Sequence, residues 1–340
     1  MDFCRSKNLI SLHKTYHNTV EVWICDLLDH LRRVAIVVVE LKKGKMSHPS
    51  GRRNALNDLT GSEWAQSSKS IMQYEDQRSE KQKFHGAAFP QSLAEHHILT
   101  YTRQQETVLD PFAGVGTTLD ACIATGRNGI GIELNPAFVK MAEQDLAVNK
   151  RPDLRVEMVC DDIANLKKHV KPESVDFIIT SPPYANMLAK IQKRFLYKWK
   201  TARDRFGFKP IENTRPYSDD PRDIGNLPYD KCLDAFEQVF RDTYDVTKQE
   251  SYAAWVVKDF RDLRNGKPYV NFHSDITERA MRAGWILWDI RIFDQTVFRP
   301  LVILGIPSRN FYLNIGHSFI LIFKKTNKLT SGKKHYQRLS

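Results

Sequence analysis

The sequence predicts an α/β fold built on a doubly wound, mostly parallel sheet. From about Thr107 onward, short apolar segments alternate with segments of helical period, and glycine or proline marks the turns between them. This alternation is typical of parallel strands joined by crossover helices. Several apolar segments end directly before polar residues. Since ligands bind at the carboxyl ends of the strands in such sheets, we expect these polar residues to form one site.

Four predicted strands account for the first half of the sheet. The segments are TVLD, GIGIEL, RVEMVC and VDFIIT, and the polar residues at their ends are Asp110, Glu133, Asp161 with Asp162, and Ser181 to Tyr184. The segment TLDACIAT, between the first two strands, predicts a helix closed by Gly126. Asn135 predicts the cap of the next helix, with Pro136 at its first position, where proline is favoured.

One long amphipathic segment and three apolar runs predict the second half of the fold. YDKCLDAFEQVFRDTYDV places Leu233, Phe236, Val239 and Phe240 at helical spacing. The runs SYAAWVVKDF, GWILWDIRIF and HSFILIFKK are predicted as three more strands, which gives a sheet of seven.

Composition favours a polyanionic partner and excludes several classes of protein. The 340 residues carry a net charge of +11, so nucleic acid is the first candidate partner. The five cysteines are scattered without a CxxC pair, which argues against a disulfide framework or a zinc site. We therefore expect a reduced, cytoplasmic or nucleoid-associated protein. The run VAIVVV is too short to span a membrane, and no membrane association is expected.

Residues 1–53 are predicted as an extension outside the main fold. They are basic and weakly periodic, and they lead into KKGKMSHPSGRRN, which is typical of a solvated linker. Two interpretations stay open. Either the natural start is Met46, inside this linker, or the extension forms a small appended helix-strand unit.

The glycine-bearing loop PFAGVGTT predicts a site for a nucleoside-containing ligand. Gly114 and Gly116 permit a tight turn and close approach of a ligand to the backbone. Glu133 lies 23 residues beyond Asp110, a spacing that suits a ribose diol. A dinucleotide is the alternative, but the third glycine of GxGxxG and the P-loop lysine are absent. Asp110 would repel a pyrophosphate and suits a ligand with an amino group and a sulfonium, which favours S-adenosylmethionine.

Three motifs together resemble the DNA amino-methyltransferases, which methylate the exocyclic amine of cytosine or adenine. DPFAGVGTT resembles their cofactor motif, and TSPPY resembles their catalytic motif, usually written D/N/S-P-P-Y/F/W. FHGAAFPQSLAEHHI resembles the segment that closes over the methionine end, although Gly86 stands where the usual H-P-A-x-F-P has proline. The resemblance covers about residues 54–325. It implies a methyltransferase domain at 54–340, with the last two strands forming an antiparallel edge hairpin.

The resemblance also implies roles in cofactor binding. Asp110 and the amides of Phe112 to Thr118 would hold the methionine part, and Glu133 would accept hydrogen bonds from both ribose hydroxyls. One of Asp161 and Asp162 would accept from the adenine amino group, and the other would be a solvated strand end or a helix cap. The residues expected to bind S-adenosylmethionine are Phe89, Pro90, Asp110, Pro111, Phe112, Gly114, Gly116, Thr117, Thr118, Glu133, Asp161, Asp162 and Ile163.

By the same resemblance, the catalytic residues are Ser181, Pro182, Pro183 and Tyr184. A base amine is a poor nucleophile because its lone pair is delocalised into the ring. Ser181 Oγ and the carbonyl of Pro182 would accept hydrogen bonds from the amine, and the prolines would hold that carbonyl in place. Tyr184 would stack on a base flipped out of the duplex. A turn with a packed tyrosine is the alternative, but it does not explain why the prolines lie beside a cofactor loop.

A basic and aromatic segment directly after the catalytic motif predicts DNA binding, with residues 187–228 as a candidate recognition insertion. Basic side chains suit phosphates, and interleaved aromatic rings suit bases. The residues expected to bind double-stranded DNA are Lys190, Lys193, Arg194, Lys198, Lys200, Arg203 and Arg205. A solvated basic helix is the alternative. Trp255, Lys258 and Phe260 are expected to line the base pocket, with core packing as the alternative for Trp255.

The leading function is methyl transfer from S-adenosylmethionine to the N4 amine of a cytosine. Ser181 is the reason, because serine at this position goes mostly with cytosine in the resembling family, and aspartate or asparagine mostly with adenine. N6-adenine methylation is the main alternative. An RNA or protein-glutamine methyltransferase and a non-catalytic DNA-binding module are further alternatives. C5 methylation of cytosine is not expected, since no cysteine follows a proline or lies near Tyr184.

A cognate restriction endonuclease would be a partner if the protein belongs to a restriction–modification pair. No metal is expected, and the adjacent His96 and His97 are interpreted as surface histidines because they lack the i, i+4 spacing of helical metal ligands.

Overall fold

The computed structural model describes residues 56–75, 79–86, 88–184, 218, 220–262, 265–297 and 312–327. The predicted extension at 1–53 lies outside these residues, as does most of the predicted insertion at 187–228. The proposed domain boundaries therefore stay predictions.

The described residues form eight helices and ten strands. The helices are α1 (Gly61–Ser67), α2 (Glu80–His85), α3 (Gln91–Tyr101), α4 (Thr117–Thr125), α5 (Pro136–Val148), α6 (Leu166–His169), α7 (Tyr229–Val246) and α8 (Phe272–Arg282). The strands are β1 (Ile71–Met72), β2 (Thr107–Asp110), β3 (Asn128–Glu133), β4 (Val156–Cys160), β5 (Val175–Thr180), β6 (Thr247–Val257), β7 (Phe260–Asp262), β8 (Lys267–Val270), β9 (Ile286–Asp294) and β10 (His317–Lys324). Short 3₁₀ turns lie at Ile163–Asn165 and Ile224–Asn226.

The predicted α/β fold is confirmed, with one more strand in the main sheet than expected. Eight strands follow the order β1-β9-β10-β6-β5-β2-β3-β4, and β7 and β8 form a separate antiparallel pair. The five strands from β6 to β4 in this order pair in parallel, whereas β10 runs antiparallel to both β6 and β9. The doubly wound half of the sheet is therefore the half that carries the motifs.

The antiparallel hairpin forms as expected, but it does not end the sheet. β1 adds outside β9 in parallel register, with Ile71 opposite Ile292 and Met72 opposite Phe293. A strand of two residues is too short to show the period-two pattern by which a strand is predicted. The sequence therefore could not indicate this eighth strand.

Two hydrophobic clusters cover the two faces of the sheet. Trp255 packs into the cluster beneath α7 and α8, with its ring centroid 4.1 Å from that of Phe240, and its neighbours Ala254 and Val256 belong to the other cluster. This division follows from the alternation of side chains along a strand. Trp255 is fully buried, so the core-packing alternative is confirmed for it.

Capping residues place the helices beside the motifs as expected. Asn135 caps α5 by accepting a hydrogen bond from the amide of Ala137 at 2.9 Å, and Pro136 is its first residue. Gly126 ends α4 in the left-handed conformation, with φ of +77°. Among the described helices, none combines the length and apolar character needed to cross a bilayer.

The expectation that both adjacent histidines lie at the surface is wrong. His97 is fully buried, and its Nδ1 lies 2.8 Å from the carbonyl of Leu93. His96 is partly buried, and its Nε2 accepts a hydrogen bond from the guanidinium of Arg291 at 2.9 Å. Burial, reinforced by the charge of Arg291, lowers the pKa of His96 to about 4. Both imidazoles pack beside the buried Tyr74, with ring centroids 5.6 Å (His96) and 6.0 Å (His97) from its ring.

Candidate active site

A pocket of about 870 Å³, including the space at its open mouth, lies at the carboxyl ends of β2 to β5. Its position follows from the parallel order of these strands, which brings their carboxyl ends to one edge of the sheet. The residues around it are His85, Ala88, Phe89, Asp110, Pro111, Phe112, Ala113, Gly114, Val115, Thr117, Ile132, Glu133, Leu134, Phe138, Asp161, Asp162, Ile163, Ser181, Pro183, Ser218, Arg222, Asp223 and Ile224.

Asp110 ends β2 and joins the cofactor loop to the catalytic turn. Its carboxylate accepts hydrogen bonds from Thr118 Oγ1 at 2.5 Å, from Thr180 Oγ1 at 2.6 Å and from the amide of Phe112 at 3.0 Å. The side chain is only 2% exposed, and burial raises its pKa to about 6 against the opposing effect of these three donors. Asp110 therefore fixes the geometry of the loop. Two of the donors share Oδ1, so one lone pair, on Oδ2, remains for a ligand.

The loop after β2 depends on its two glycines for both conformation and packing. Gly114 and Gly116 have φ of +53° and +83°, a region that residues with a Cβ rarely adopt. A Cβ on Gly114 would lie 2.9 Å from His85 Nε2, and one on Gly116 would lie 2.8 Å from the Cβ of Ala142 in α5. Gly114 therefore shapes the pocket wall, whereas Gly116 lets the loop pack against α5.

Glu133 ends β3 and faces the same pocket. Its two carboxylate oxygens accept hydrogen bonds from the amides of Gly114 at 2.9 Å and Asn135 at 2.8 Å. Burial raises its pKa to about 7, and the nearby carboxylates of Asp223 and Asp110 add to this shift. Each oxygen keeps a lone pair for a further donor, as two vicinal hydroxyls would supply.

The two aspartates that follow β4 have different surroundings. Asp161 accepts hydrogen bonds from His169 Nε2 at 2.7 Å and from Asn165 at 2.9 Å. These bonds, with His169 first, lower its pKa to about 2. Asp162 caps the 3₁₀ turn through the amide of Ala164, and its Oδ2 accepts no hydrogen bond from the described residues. Asp162 is therefore the better placed of the two to accept from a ligand.

The segment before α3 forms another wall of the pocket. Gln82, on α2, donates hydrogen bonds to the carbonyl of Phe89 at 3.2 Å and to Thr117 Oγ1 at 3.1 Å, which ties the segment to the glycine loop. Gly86 ends α2 with φ of +78°. Proline, whose φ is fixed near −65°, cannot adopt this conformation. The departure from the family's usual proline thus reflects a different end to this short helix.

The catalytic turn continues directly from β5. Ser181 and Pro183 border the pocket, while Pro182 is buried beside them. The ring of Tyr184 lies 5.5 Å from that of Phe272, centroid to centroid, against the cluster beneath α8. Among the described residues, the ring of Tyr184 thus makes a packing contact. The stacking of this ring on a base stays a prediction.

Most residues expected around the cofactor lie together in this pocket. The exceptions are Pro90, Gly116 and Thr118, which do not line the pocket; of the predicted catalytic residues, Pro182 and Tyr184 do not line it either. Lys258 lies apart from it and donates a hydrogen bond to Gln295 at 3.1 Å. Phe260 belongs to the separate strand β7. The seven basic residues expected to bind DNA lie outside the described residues.

Sequence reasoning missed several pocket residues. His85 and Phe138 line one wall, with their ring centroids 4.8 Å apart. Ser218, Arg222, Asp223 and Ile224 come from the end of the predicted DNA-recognition insertion. His85 lies in the quoted motif and was open to prediction, whereas these four residues carry no local motif that links them to a cofactor. In the described part of the chain, no group of three or more His, Cys, Asp or Glu side chains is arranged to hold a metal ion.

Comparison with known proteins gives the following similarities. Residues 5–144 match a family model described as DNA methylase. The type II methyltransferase M.HinfI of Haemophilus influenzae is 36% identical over 97 residues, which are 28% of this chain and 25% of that relative. The DNA adenine methyltransferase YhdJ of Escherichia coli (strain K12) is 36% identical over 84 residues, which are 25% of this chain and 26% of YhdJ.

The matched region thus spans about a quarter of the length of these relatives. Among solved structures, TrmN from Thermus thermophilus matches with a TM-score of 0.41 and 16% identity, over 72% of this chain and 52% of that chain.

Proposed function

We propose that this chain is a DNA amino-methyltransferase, which transfers a methyl group from S-adenosylmethionine to the exocyclic amine of a base in double-stranded DNA. One observation carries the proposal. The acids that end β2 and β3 border the same pocket as Ser181 and Pro183 of the Ser-Pro-Pro-Tyr turn that follows β5. Thr180, directly before that turn, donates to Asp110 at 2.6 Å, so the two motifs form one hydrogen-bonded unit.

The donor and acceptor chemistry of the pocket fits S-adenosylmethionine. This cofactor carries an amino group, a ribose diol and an adenine amine, which are all donors, together with a cationic sulfonium whose methyl group is the one transferred. The pocket presents carboxylates with spare lone pairs at Asp110, Glu133 and Asp162. Phe89 and Phe138 supply apolar walls. Asp110 would hold the methionine end, Glu133 the ribose and Asp162 the adenine amine.

The catalytic turn has the means to activate an amine without a nucleophile or a strong base. Ser181 Oγ and the carbonyl of Pro182 would accept hydrogen bonds from the two amine hydrogens and draw the nitrogen toward a tetrahedral shape. That change directs the nitrogen lone pair at the methyl carbon. The new N–C bond would form as the C–S bond breaks, with S-adenosylhomocysteine as the leaving group, and the methylated nitrogen would then lose one proton to water. The prolines fix φ on both sides of the carbonyl, so its direction is set before the base arrives. Tyr184, held against Phe272, would flank a base extruded from the duplex.

The methylated atom is proposed to be N4 of cytosine. Ser181 supports this assignment, because a neutral hydroxyl begins the motif where aspartate or asparagine accompanies adenine in most of the family. YhdJ, which carries the name DNA adenine methyltransferase, supports N6-adenine as the alternative. Digestion of the methylated DNA to nucleosides and mass spectrometry separates the two. A rise in N6-methyldeoxyadenosine without N4-methyldeoxycytidine would overturn the N4 assignment and leave the amine chemistry standing.

The class of acceptor is tested by offering three substrates. Purified protein with isotopically labelled S-adenosylmethionine should label duplex DNA, and the Ser181→Ala variant should lose that activity. If RNA or a glutamine-containing protein acquired the label and DNA did not, the result would instead support an RNA or protein methyltransferase. Failure of the protein to bind the cofactor would support a non-catalytic DNA-binding module. A restriction endonuclease is the proposed partner. It would cleave the same DNA site, and methylation of that site would block the cleavage.

A further inference from the structure

A segment that the sequence assigns to DNA recognition forms part of the pocket wall. We call residues Asp220–Leu227 the return segment, because they bring the chain back to the sheet just before α7. Arg222, Asp223 and Ile224 all border the pocket. None of the cofactor and catalytic motifs includes this segment.

Asp223 is the acid of the return segment with the capacity to contact a ligand. It is only 9% exposed, and it accepts hydrogen bonds from the amide of Gly225 at 2.8 Å and from Ser218 Oγ at 3.0 Å. Both described donors are neutral and each occupies a different carboxylate oxygen, so one lone pair remains on each oxygen. The neighbouring Arg222 pairs with Asp220 instead, at 2.6 Å.

Asp223 lines the same pocket as Glu133 and Asp162. Burial is the largest cause of the raised pKa of both Glu133 and Asp223; the charge of Asp223 adds to the shift of Glu133, and the charges of Asp220 and then Asp162 add to the shift of Asp223. Glu133 and Asp162 are the two acids proposed to hold the ribose and the adenine amine. A donor bound among the three carboxylates would relieve their mutual repulsion.

The return segment also contacts the catalytic turn. A Cβ built on Gly225 would lie 3.2 Å from the Cβ of Pro183, so the backbone of Gly225 packs closely against that proline. Ile224 is buried in the cluster beneath α7 and α8, which anchors the segment to the core. Asp223 is therefore held between the catalytic turn and the pocket.

We propose that Asp223 is a further cofactor-binding residue, which accepts a hydrogen bond from the adenosine half of S-adenosylmethionine. This inference rests on the proposed function, because it requires that the pocket bind this cofactor. It makes the segment that follows the predicted DNA-recognition region a contributor to the cofactor site.

The test compares Asp223→Asn with Asp220→Asn by calorimetry. The asparagine at 223 keeps an acceptor for the Gly225 amide, and the variant at 220 is a matched control because its carboxylate pairs with Arg222. The ligands are S-adenosylmethionine, S-adenosylhomocysteine and 5′-methylthioadenosine, which lacks the amino-acid half. Loss of a charged hydrogen bond should weaken all three by about tenfold or more in Asp223→Asn. Asp220→Asn should stay within about twofold of the wild type.

Each outcome bears on a separate claim. Unchanged affinity of Asp223→Asn, beside a wild type that binds all three ligands, would overturn the inference and leave the proposed function intact. Weakening confined to S-adenosylmethionine would place Asp223 at the sulfonium and overturn the adenosine contact. A wild type that binds none of the ligands would remove both the proposed function and this inference. Equal weakening in both variants, with lowered melting temperatures, would show a structural role and also overturn the contact.

Discussion

Protonation of Glu133 should control how tightly the pocket binds S-adenosylhomocysteine near neutral pH. Burial raises the pKa of Glu133 to about 7, and the amides of Asn135 and Gly114 only partly oppose this. A carboxylate can accept hydrogen bonds from both ribose hydroxyls, whereas a protonated carboxyl group has fewer acceptor sites. Ligand binding should therefore favour the ionised form, and affinity should be lost as the pH falls through 7.

The magnitude follows from the fraction of Glu133 that is ionised in the free protein. With a pKa of about 7, roughly nine-tenths of the side chains are ionised at about pH 8 and roughly one-tenth at about pH 6. If only the ionised form binds, the apparent Kd for S-adenosylhomocysteine should rise by about tenfold over this range. The binding reaction should release protons at the lower pH, because the ligand selects the ionised form.

Calorimetry in two buffers of different ionisation enthalpy measures both the Kd and the protons released. Glu133→Gln should bind more weakly near pH 8 and lose most of the slope. Glu157→Gln is the matched control on β4, outside the pocket, where the carboxylate pairs with Arg155 at 2.8 Å; it should keep the wild-type slope. A wild-type Kd that stays constant over this range, or a slope that survives in Glu133→Gln, would refute the reasoning.

Three further predictions concern other parts of the molecule. Asp110→Ala should abolish cofactor binding and lower the free energy of unfolding by on the order of 1–3 kcal/mol for each buried donor left without its acceptor. Tyr184→Ala should keep cofactor binding and lose turnover. Calorimetry that shows equal loss of cofactor binding in both variants would contradict this division. Neutralising Lys198, Lys200 and Arg203 together should reduce the slope of log affinity for DNA against log salt concentration by roughly 0.9 for each phosphate contact that is lost. An unchanged slope would show that these three side chains are solvated and do not contact DNA. His96→Asn should lose less melting temperature than the wild type as the pH falls from 6.5 to about 4. The reason is that the lowered pKa of the wild-type imidazole makes its stabilising contribution full above pH 6.5 and lost as the pH falls through 4. Equal pH dependence of the melting temperature in the two proteins would contradict this prediction.

The strands that carry the site were predictable because they are long, apolar and bounded by turn residues. VDFIIT and TVLD coincide with β5 and β2, and the polar residues after them lie in one pocket because parallel order fixes where strand ends meet. The burial of His97 was also open to prediction. Leu93, Ala94 and Ile98 are buried on the same face of α3, so the helical period already placed His97 inward.

Tertiary packing decided what the sequence could not show. Asp223 reaches the pocket because the chain returns to the sheet at the end of the predicted recognition insertion, and no local pattern links it to Glu133. The neighbouring Asp161 and Asp162 are alike in the sequence. They differ in the fold because α6 places His169 beside Asp161 at 2.7 Å. The left-handed Gly86 shows the same limit, since the altered motif did not reveal how its backbone turns.

Single-turnover methyl transfer tests the central claim most directly, namely that the turn after β5 acts on a base amine by accepting its hydrogen bonds. Wild type and Ser181→Ala, each saturated with labelled S-adenosylmethionine, are mixed with duplex DNA, and the label is read on the separated nucleosides. We expect the wild type to place the label on a base amine, and Ser181→Ala to be slower by roughly a hundredfold or more with its cofactor Kd unchanged. Equal rates in the two proteins, or a wild type that binds cofactor and DNA yet labels no base amine, would contradict the account.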